Sequence, residues 1–276
     1  MSRFFKKADP NTEMSFLDHL EALRWHLVRS VLAVVTIAIV AFINKSFIFD
    51  TVIFGPRNPH FPTYRALCWL SEKFSIDICI TEVPFTLINI SMTGQFSLHV
   101  WVAIVTGIVL GFPYLLWELW RFIKPALTQK EKSYSTGIVF FASILFFTGV
   151  LFGYFIISPM SINFLGSYQV STEVKNQINL DSYISTVTIL TFASGIVFEL
   201  PIVVYFLSKI GLITPQFMRR YRRHAMVVNL IVAALITPSP DITSQLLVAI
   251  PLFLLYEVSI YVSAVVVKKN ALSNSS

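Results

Sequence analysis

The chain is poor in charge and in cysteine. Of its 276 residues only 13% are Asp, Glu, Lys or Arg, whereas 55% are hydrophobic, and cysteine occurs twice. That balance excludes a soluble globular domain and a densely disulfide-stapled scaffold. No G-x-x-x-x-G-K phosphate loop is present, so no nucleotide-driven chemistry is encoded. Ser194 precedes Gly195 without a G-x-S-x-G context or a neighbouring histidine, which leaves a hydrolase without nucleophile and base. His19, His26, His60, His99 and His224 are scattered, and no pair has a zinc-type spacing. No catalytic residue, metal or cofactor is therefore expected.

Long apolar stretches fill the chain instead. Its mean hydropathy is +0.70, and six windows are candidate membrane spans: Leu27 to Ile48, Phe96 to Trp117, Ser135 to Ser158, Ser182 to Ser208, Ala225 to Thr237 and Gln245 to Val267. The fold expected is an all-α integral membrane protein with six transmembrane helices, a single membrane domain over residues 1–276. The fifth window is about 20 Å of helix against a hydrocarbon core of about 30 Å. A short hairpin with local thinning of the bilayer is expected there.

Basic residues orient the spans. With the N-terminus inside, sixteen of the 21 Lys and Arg fall in inside segments, and Lys45, Arg57, Arg65, Lys73 and Lys175 are left outside. Both termini, including the tail 268–276, are therefore expected on the cytoplasmic side. The first apolar run is too long for an ordinary signal core and no small-residue cleavage site follows, so it is expected to stay as an anchor. Arg219, Arg220, Arg222 and Arg223 read as topology anchors beside anionic lipid headgroups, with no need of nucleic acid.

The segment 1–26 precedes the first span. Phe16, Leu20, Leu23 and Leu27 recur at helical spacing behind an S-x-x-D start at Ser15 and Asp18, so an amphipathic helix enters the membrane here. Its polar side shows Asp18, Glu21 and Arg24, either a solvated face or a set of paired groups. Residues 49–95 form the longest outside loop. Pro56, Pro59, Pro62 and Pro84 are expected to break regular structure there. Cys68 and Cys79 lie in the same loop, where a disulfide persists if it forms; the residues alone leave paired and reduced thiols equally open.

Four carboxylates stand out. Glu199 lies roughly 15 Å inside the fourth span, counted from Lys209, where a carboxylate faces a cavity or a partner helix. Pro201, two positions on, removes a backbone donor, so a kink and a freed Val197 carbonyl are expected beside it. Glu257 in the sixth span either shares that cavity or bonds a neighbouring helix. Glu131, in the inside loop after the second span, has capping-box spacing from Thr128, and as an acidic spot among basic residues it also suits a cationic ligand. Glu118 stands three residues before Arg121, the spacing of a helix-end pair. A proton-coupled transporter is an alternative use of Glu199 and Glu257, but no internal repeat or paired interrupted helices accompany it.

Several blocks together resemble the TatC family, the core subunits of twin-arginine protein translocases. They are HLEALR at His19 to Arg24, FIKPALTQKEK at Phe122 to Lys132, FELP at Phe198 to Pro201, and the TPSPDITSQ bend followed by Ala249, Ile250, Pro251 and Glu257. The resemblance covers Phe16 to Val267. It implies a concave, glove-like six-helix bundle with two short C-terminal spans in the bacterial inner membrane. It also implies a receptor and scaffold, not an enzyme, which recognises the paired arginines of Tat signal peptides on folded cargo and uses the protonmotive force. Glu131, Phe122, Pro125, Arg24 and Glu21 would bind the signal peptide. The family pattern HLxELRxR reads HLEALRWH here, so Ala22 occupies the usual acidic position and Glu21 is one place early. Glu199, Pro201 and Glu257 would meet TatA-like and TatB-like single-span partners. Asp241 and Gln245 would shape a bend one residue longer than the family's usual form. A homo-oligomer within a larger complex is implied as well.

Overall fold

A computed structural model describes residues 16–75, 78–81, 85–123, 135–171, 173–174, 176–237 and 242–274. Pro125, Glu131 and Asp241 fall outside those residues. Helix α1 (Phe16–Ile43) is continuous, so the expected amphipathic entry helix and the first span are one element. A π-helical turn (Phe47–Ile53), a 3₁₀ turn (Gly55–Arg57) and α2 (Pro62–Phe74) follow. The expectation that the loop prolines break regular structure is thus corrected at Pro62. It opens α2, where a missing N–H leaves no helical bond unmade.

Strand β1 (Thr86–Ile88) then leads into α3 (Gly94–Ile123) and α4 (Ser135–Phe152). A π-helical turn (Gly153–Ile157) joins α4 to α5 (Ser158–Ser167). After β2 (Gln177–Asn179) come α6 (Leu180–Phe198), α7 (Leu200–Lys209), α8 (Pro215–Arg220), α9 (Arg222–Ile236) and α10 (Ile242–Asn274).

The all-α expectation needs one amendment, because β1 and β2 pair in parallel with Thr86 opposite Gln177 and Ile88 opposite Asn179. Among the described residues five helices are long and apolar enough to cross a membrane: Leu20–Ile43, Gly94–Ile123, Gly137–Ser167, Leu180–Lys209 and Val248–Lys269. The fifth expected span is α9, whose 15 residues reach about 22 Å. Of the two C-terminal spans only this one is short. Helix α10 has 33 residues and carries the helix on through most of the polar tail.

Helices α1 and α3 run antiparallel. Phe42 near the end of α1 stacks on His99 near the start of α3, with ring centroids 3.8 Å apart, and at the other end His26 bonds Glu118. Gly107 permits the close approach between them, since a Cβ there would lie 2.6 Å from the Val34 carbonyl oxygen. Lipid tails are as apolar as leucine, so fit of this kind, not apolar burial, holds such helices together. In keeping with that, Val31, Val35, Ile39 and Ile43 on α1 stay exposed on the outer surface.

Among the described residues the interior gathers into three small clusters. One, at the end where α1 finishes and α3 begins, gathers Ile53, Phe85, Leu98, Val102, Ile162, Tyr183, Ile184 and Val187. Three tyrosines fasten the long loop over it by donating to backbone carbonyls. Tyr64 reaches Pro56 and Pro159, Tyr154 reaches Val52 at 2.7 Å, and Tyr183 reaches Ile53 at 2.9 Å. Cys68 and Cys79 form a disulfide in that loop. The second cluster joins Ile157, Leu190, Ala233, Val248, Ala249 and Leu252, and the third joins Val204, Met218 and Ile260. Helix α7 packs along α10, where the buried Ser208 hydroxyl donates to Ser263 across 2.7 Å.

Candidate functional site

At the end where α1 begins and α3 finishes, a polar cluster is built around Glu118. Its side chain is 1% exposed, although it lies among Trp117, Leu119 and Trp120 on an apolar helix. A buried carboxylate is tolerated only when its oxygens are hydrogen-bonded, and here both are. His26 on α1 donates from Nδ1 to Oε2; a carboxylate only accepts, which fixes the proton on that nitrogen. Tyr114, one turn back on α3, donates to Oε1 across 3.1 Å. Arg121 Nη1 donates to the same oxygen across 3.3 Å.

The sequence spacing foresees the Arg121 pair. It misses His26 and Tyr114, and the His26 bond is the one that joins two helices. Tyr114 at i−4 was legible as a helix neighbour, but nothing in the order of residues points to His26.

Phe122 comes next on α3. Its ring meets the His26 ring edge-on, with centroids 6.1 Å apart and planes at 65°. The start of α1 and the end of α3 therefore share one corner. Glu21 and Arg24 are on exposed faces of α1. Ala22, His26 and Ser30 are half-buried while every residue between them is exposed. The i, i+4 spacing makes them one stripe, and through His26 that stripe faces α3. Ala22, not Glu21, is therefore on the side turned toward Glu118.

A second polar feature interrupts the long helical span Leu180–Lys209. Helix α6 stops at Phe198 and α7 starts at Leu200, with Pro201 buried in the first turn. Glu199 sits in the break. Its N–H bonds the Ile196 carbonyl at 3.1 Å and its carbonyl accepts from Ile202 and Val203. The helix is interrupted where Pro201 is expected to bend it. The Val197 carbonyl, expected to be free, instead accepts from the Glu199 N–H. Glu199 Oε1 is buried and has no hydrogen-bond partner among the described residues.

Glu257 does not join Glu199. It accepts from Arg222 Nη2 across 2.7 Å, and the two side chains are about half exposed, 50% and 45%. Of the two sequence options for Glu257, bonding a neighbouring helix is the one realised. Arg222 is thus more than an anchor; the short α9 brings it to the depth of a residue in the middle of α10. Gln245, at the opposite end, donates from Nε2 to the Leu230 carbonyl at 3.1 Å and so braces α10 against α9. No group of three or more metal-ligating side chains occurs among the described residues.

A family profile described as the Sec-independent protein translocase protein (TatC) matches residues 18–251. The chain is 42% identical over 260 residues to the Sec-independent protein translocase protein TatC of Blattabacterium sp. subsp. Periplaneta americana, covering 93% of this chain and 97% of that one. It is 34% identical over 257 residues to the TatC of Aquifex aeolicus, again with 93% and 97% coverage. A crystal structure described as the twin arginine translocase receptor TatC in DDM superposes with a TM-score of 0.69 at 32% identity, over 88% of this chain and 98% of that chain. Another crystal structure of the same receptor superposes with a TM-score of 0.64 at 31% identity, over 89% and 97%.

Proposed function

Because the chain belongs to the TatC family of Sec-independent protein translocase proteins, we propose that it is the signal-peptide receptor of a twin-arginine translocase. It is a multi-pass translocase subunit whose apolar helices fit the inner membrane. In this reading both termini face the cytoplasm, and the corner formed by α1 and α3 is the cytoplasmic docking surface for signal peptides of folded cargo. The observation that carries it is the meeting of Phe122 with His26. It brings the helix that carries HLEALR and Phe122, the first residue of the FIKPALTQKEK segment, far apart in the chain, to one corner.

Glu131 in that second segment accepts one guanidinium as a charge-assisted, two-pronged pair that lysine does not reproduce. Phe122 and Pro125 shape the loop, and Arg24 and Glu21 flank the approach along α1. Glu199 serves a different contact. Its partnerless Oε1 takes a polar group from a TatA-like or TatB-like single-span helix within the bilayer, and several copies of the chain assemble in one complex. The protonmotive force then drives export.

Photo-crosslinking from position 131 to a twin-arginine peptide in membranes tests the receptor reading. Labelling that requires arginine and disappears in Glu131→Ala supports it. Equal labelling by a twin-lysine peptide, unchanged by the mutation, would overturn it.

A further inference from the structure

Glu118 brings a carboxylate from α3 to the stripe of α1 formed by Ala22, His26 and Ser30. Ala22 stands at the position where the pattern HLxELRxR carries its acid, and His26 stands where that pattern carries its second arginine. Both belong to the half-buried stripe of α1. Across the interface an acid from α3 meets that stripe, because His26 donates to Glu118 Oε2. Residues one turn apart on a helix have Cβ atoms about 6 Å from each other, so Oε2 is within a side chain's length of the space over the Ala22 methyl.

The two oxygens of Glu118 are not equivalent. Oε1 is held within α3 by Tyr114 and Arg121. Among the described residues Oε2 is held by the N–H of His26, whose side chain is 18% exposed at the edge of the cluster. An arginine at position 26 would hold that oxygen with a permanent charge and a fork of donors. Histidine offers one donor and gives way to a stronger one.

We infer that Glu118 is a second guanidinium acceptor of this chain, reached by the second arginine of a twin-arginine peptide when its guanidinium displaces the His26 imidazole from Oε2. This rests on the receptor reading. Glu118 takes the second arginine beside the stripe of α1, and the small side chain of Ala22, half-buried one turn from His26, occupies less of that space than an acid would.

The test uses the full-length protein in lipid nanodiscs and labelled signal peptides carrying Arg-Arg, Arg-Lys, Lys-Arg or Lys-Lys. Loss of a charged hydrogen bond lowers affinity about tenfold or more. Glu118→Gln, close in shape to the native residue, is expected to abolish discrimination against lysine at one of the two positions and to keep it at the other. His26→Ala, which removes the competitor, is expected to tighten the Arg-Arg peptide about fivefold, on the scale of one hydrogen bond, and to leave Lys-Lys unchanged. Unaltered discrimination at both positions in Glu118→Gln would overturn the inference. So would uniform weakening of all four peptides in His26→Ala, which marks the His26–Glu118 bond as a structural latch only. Should Glu118→Gln fail to insert, His26→Ala decides alone. A wild-type protein indifferent to arginine would instead remove the receptor reading itself.

Discussion

The Tyr64 hydroxyl lies 2.9 Å from the carbonyl oxygens of both Pro56 and Pro159, so one proton joins the long loop after α1 to the first turn of α5. The side chain is fully buried. Tyr64→Phe should cost about 1–2 kcal/mol, since two buried carbonyls lose their shared donor. Burial also pushes the phenol well above its ordinary range. The unfolded phenol ionises at about pH 10 while the folded one does not. The contribution of Tyr64 is therefore complete below that pH and is lost as the pH rises beyond it, by up to about 1.4 kcal/mol per pH unit. Unfolding in detergent at pH 8 and at pH 10.5 should show wild type losing more stability than Tyr64→Phe. Parallel losses would contradict this account.

Reduction of the Cys68–Cys79 disulfide should loosen the end of α2. By loop-closure entropy a bridge over a loop this short contributes about 3 kcal/mol at most. Two thiols should become available to a maleimide after reductant and none before it. Reduced protein should also be cut faster by protease between α2 and β1. Full labelling without reductant would mean the bond is not present in the membrane.

Gly107→Ala should separate α1 from α3, because the added methyl would meet the Val34 backbone at 2.6 Å and the Ala38 Cβ at 3.1 Å. Overpacking of this sort costs about 1–3 kcal/mol. Gly137 provides the control, having nothing within 4 Å of an added Cβ, so Gly137→Ala should be neutral or stabilising by up to about 1 kcal/mol. Equal thermal shifts in the two variants would remove close helix approach as the explanation.

Glu199→Leu should weaken recovery of single-span partner helices about fivefold, the equivalent of one intramembrane hydrogen bond near 1 kcal/mol. Glu199→Gln should retain most of it, since the amide still presents donor and acceptor. Quantitative co-purification from membranes gives the answer, and undiminished recovery with leucine would exclude the partner-contact role.

The apolar windows made most of the helices legible in the sequence, since a membrane span must be continuous, apolar and about 20 residues long. Their ends were less legible. The window closing at Trp117 left out the last turns of α3, which hold Glu118, Arg121 and Phe122. Glu199 stood out because a carboxylate in an apolar run is conspicuous on hydropathy alone. His26 did not, because its importance comes from a residue 92 positions away on another helix. The β1–β2 ladder was hidden for the same reason. Three-residue strands carry no periodicity, and their pairing depends on how two distant loops meet. For Glu257 the residues alone left two roles open and Arg222 read as an anchor, until the α9–α10 hairpin set the two side by side.

The parallel ladder also imposes an order on biogenesis. Strand β1 leaves the ribosome ahead of α3, but its partner follows only after α3, α4 and α5 have been made. Until then the backbone of Thr86–Ile88 has no strand to bond. The strand edge of a nascent chain thus stays open while the first three spans are made, and it closes when the segment ahead of α6 arrives. A chain truncated before Gln177 would present that open edge to the cell's membrane quality-control proteases, and a chain extended past Asn179 would hide it.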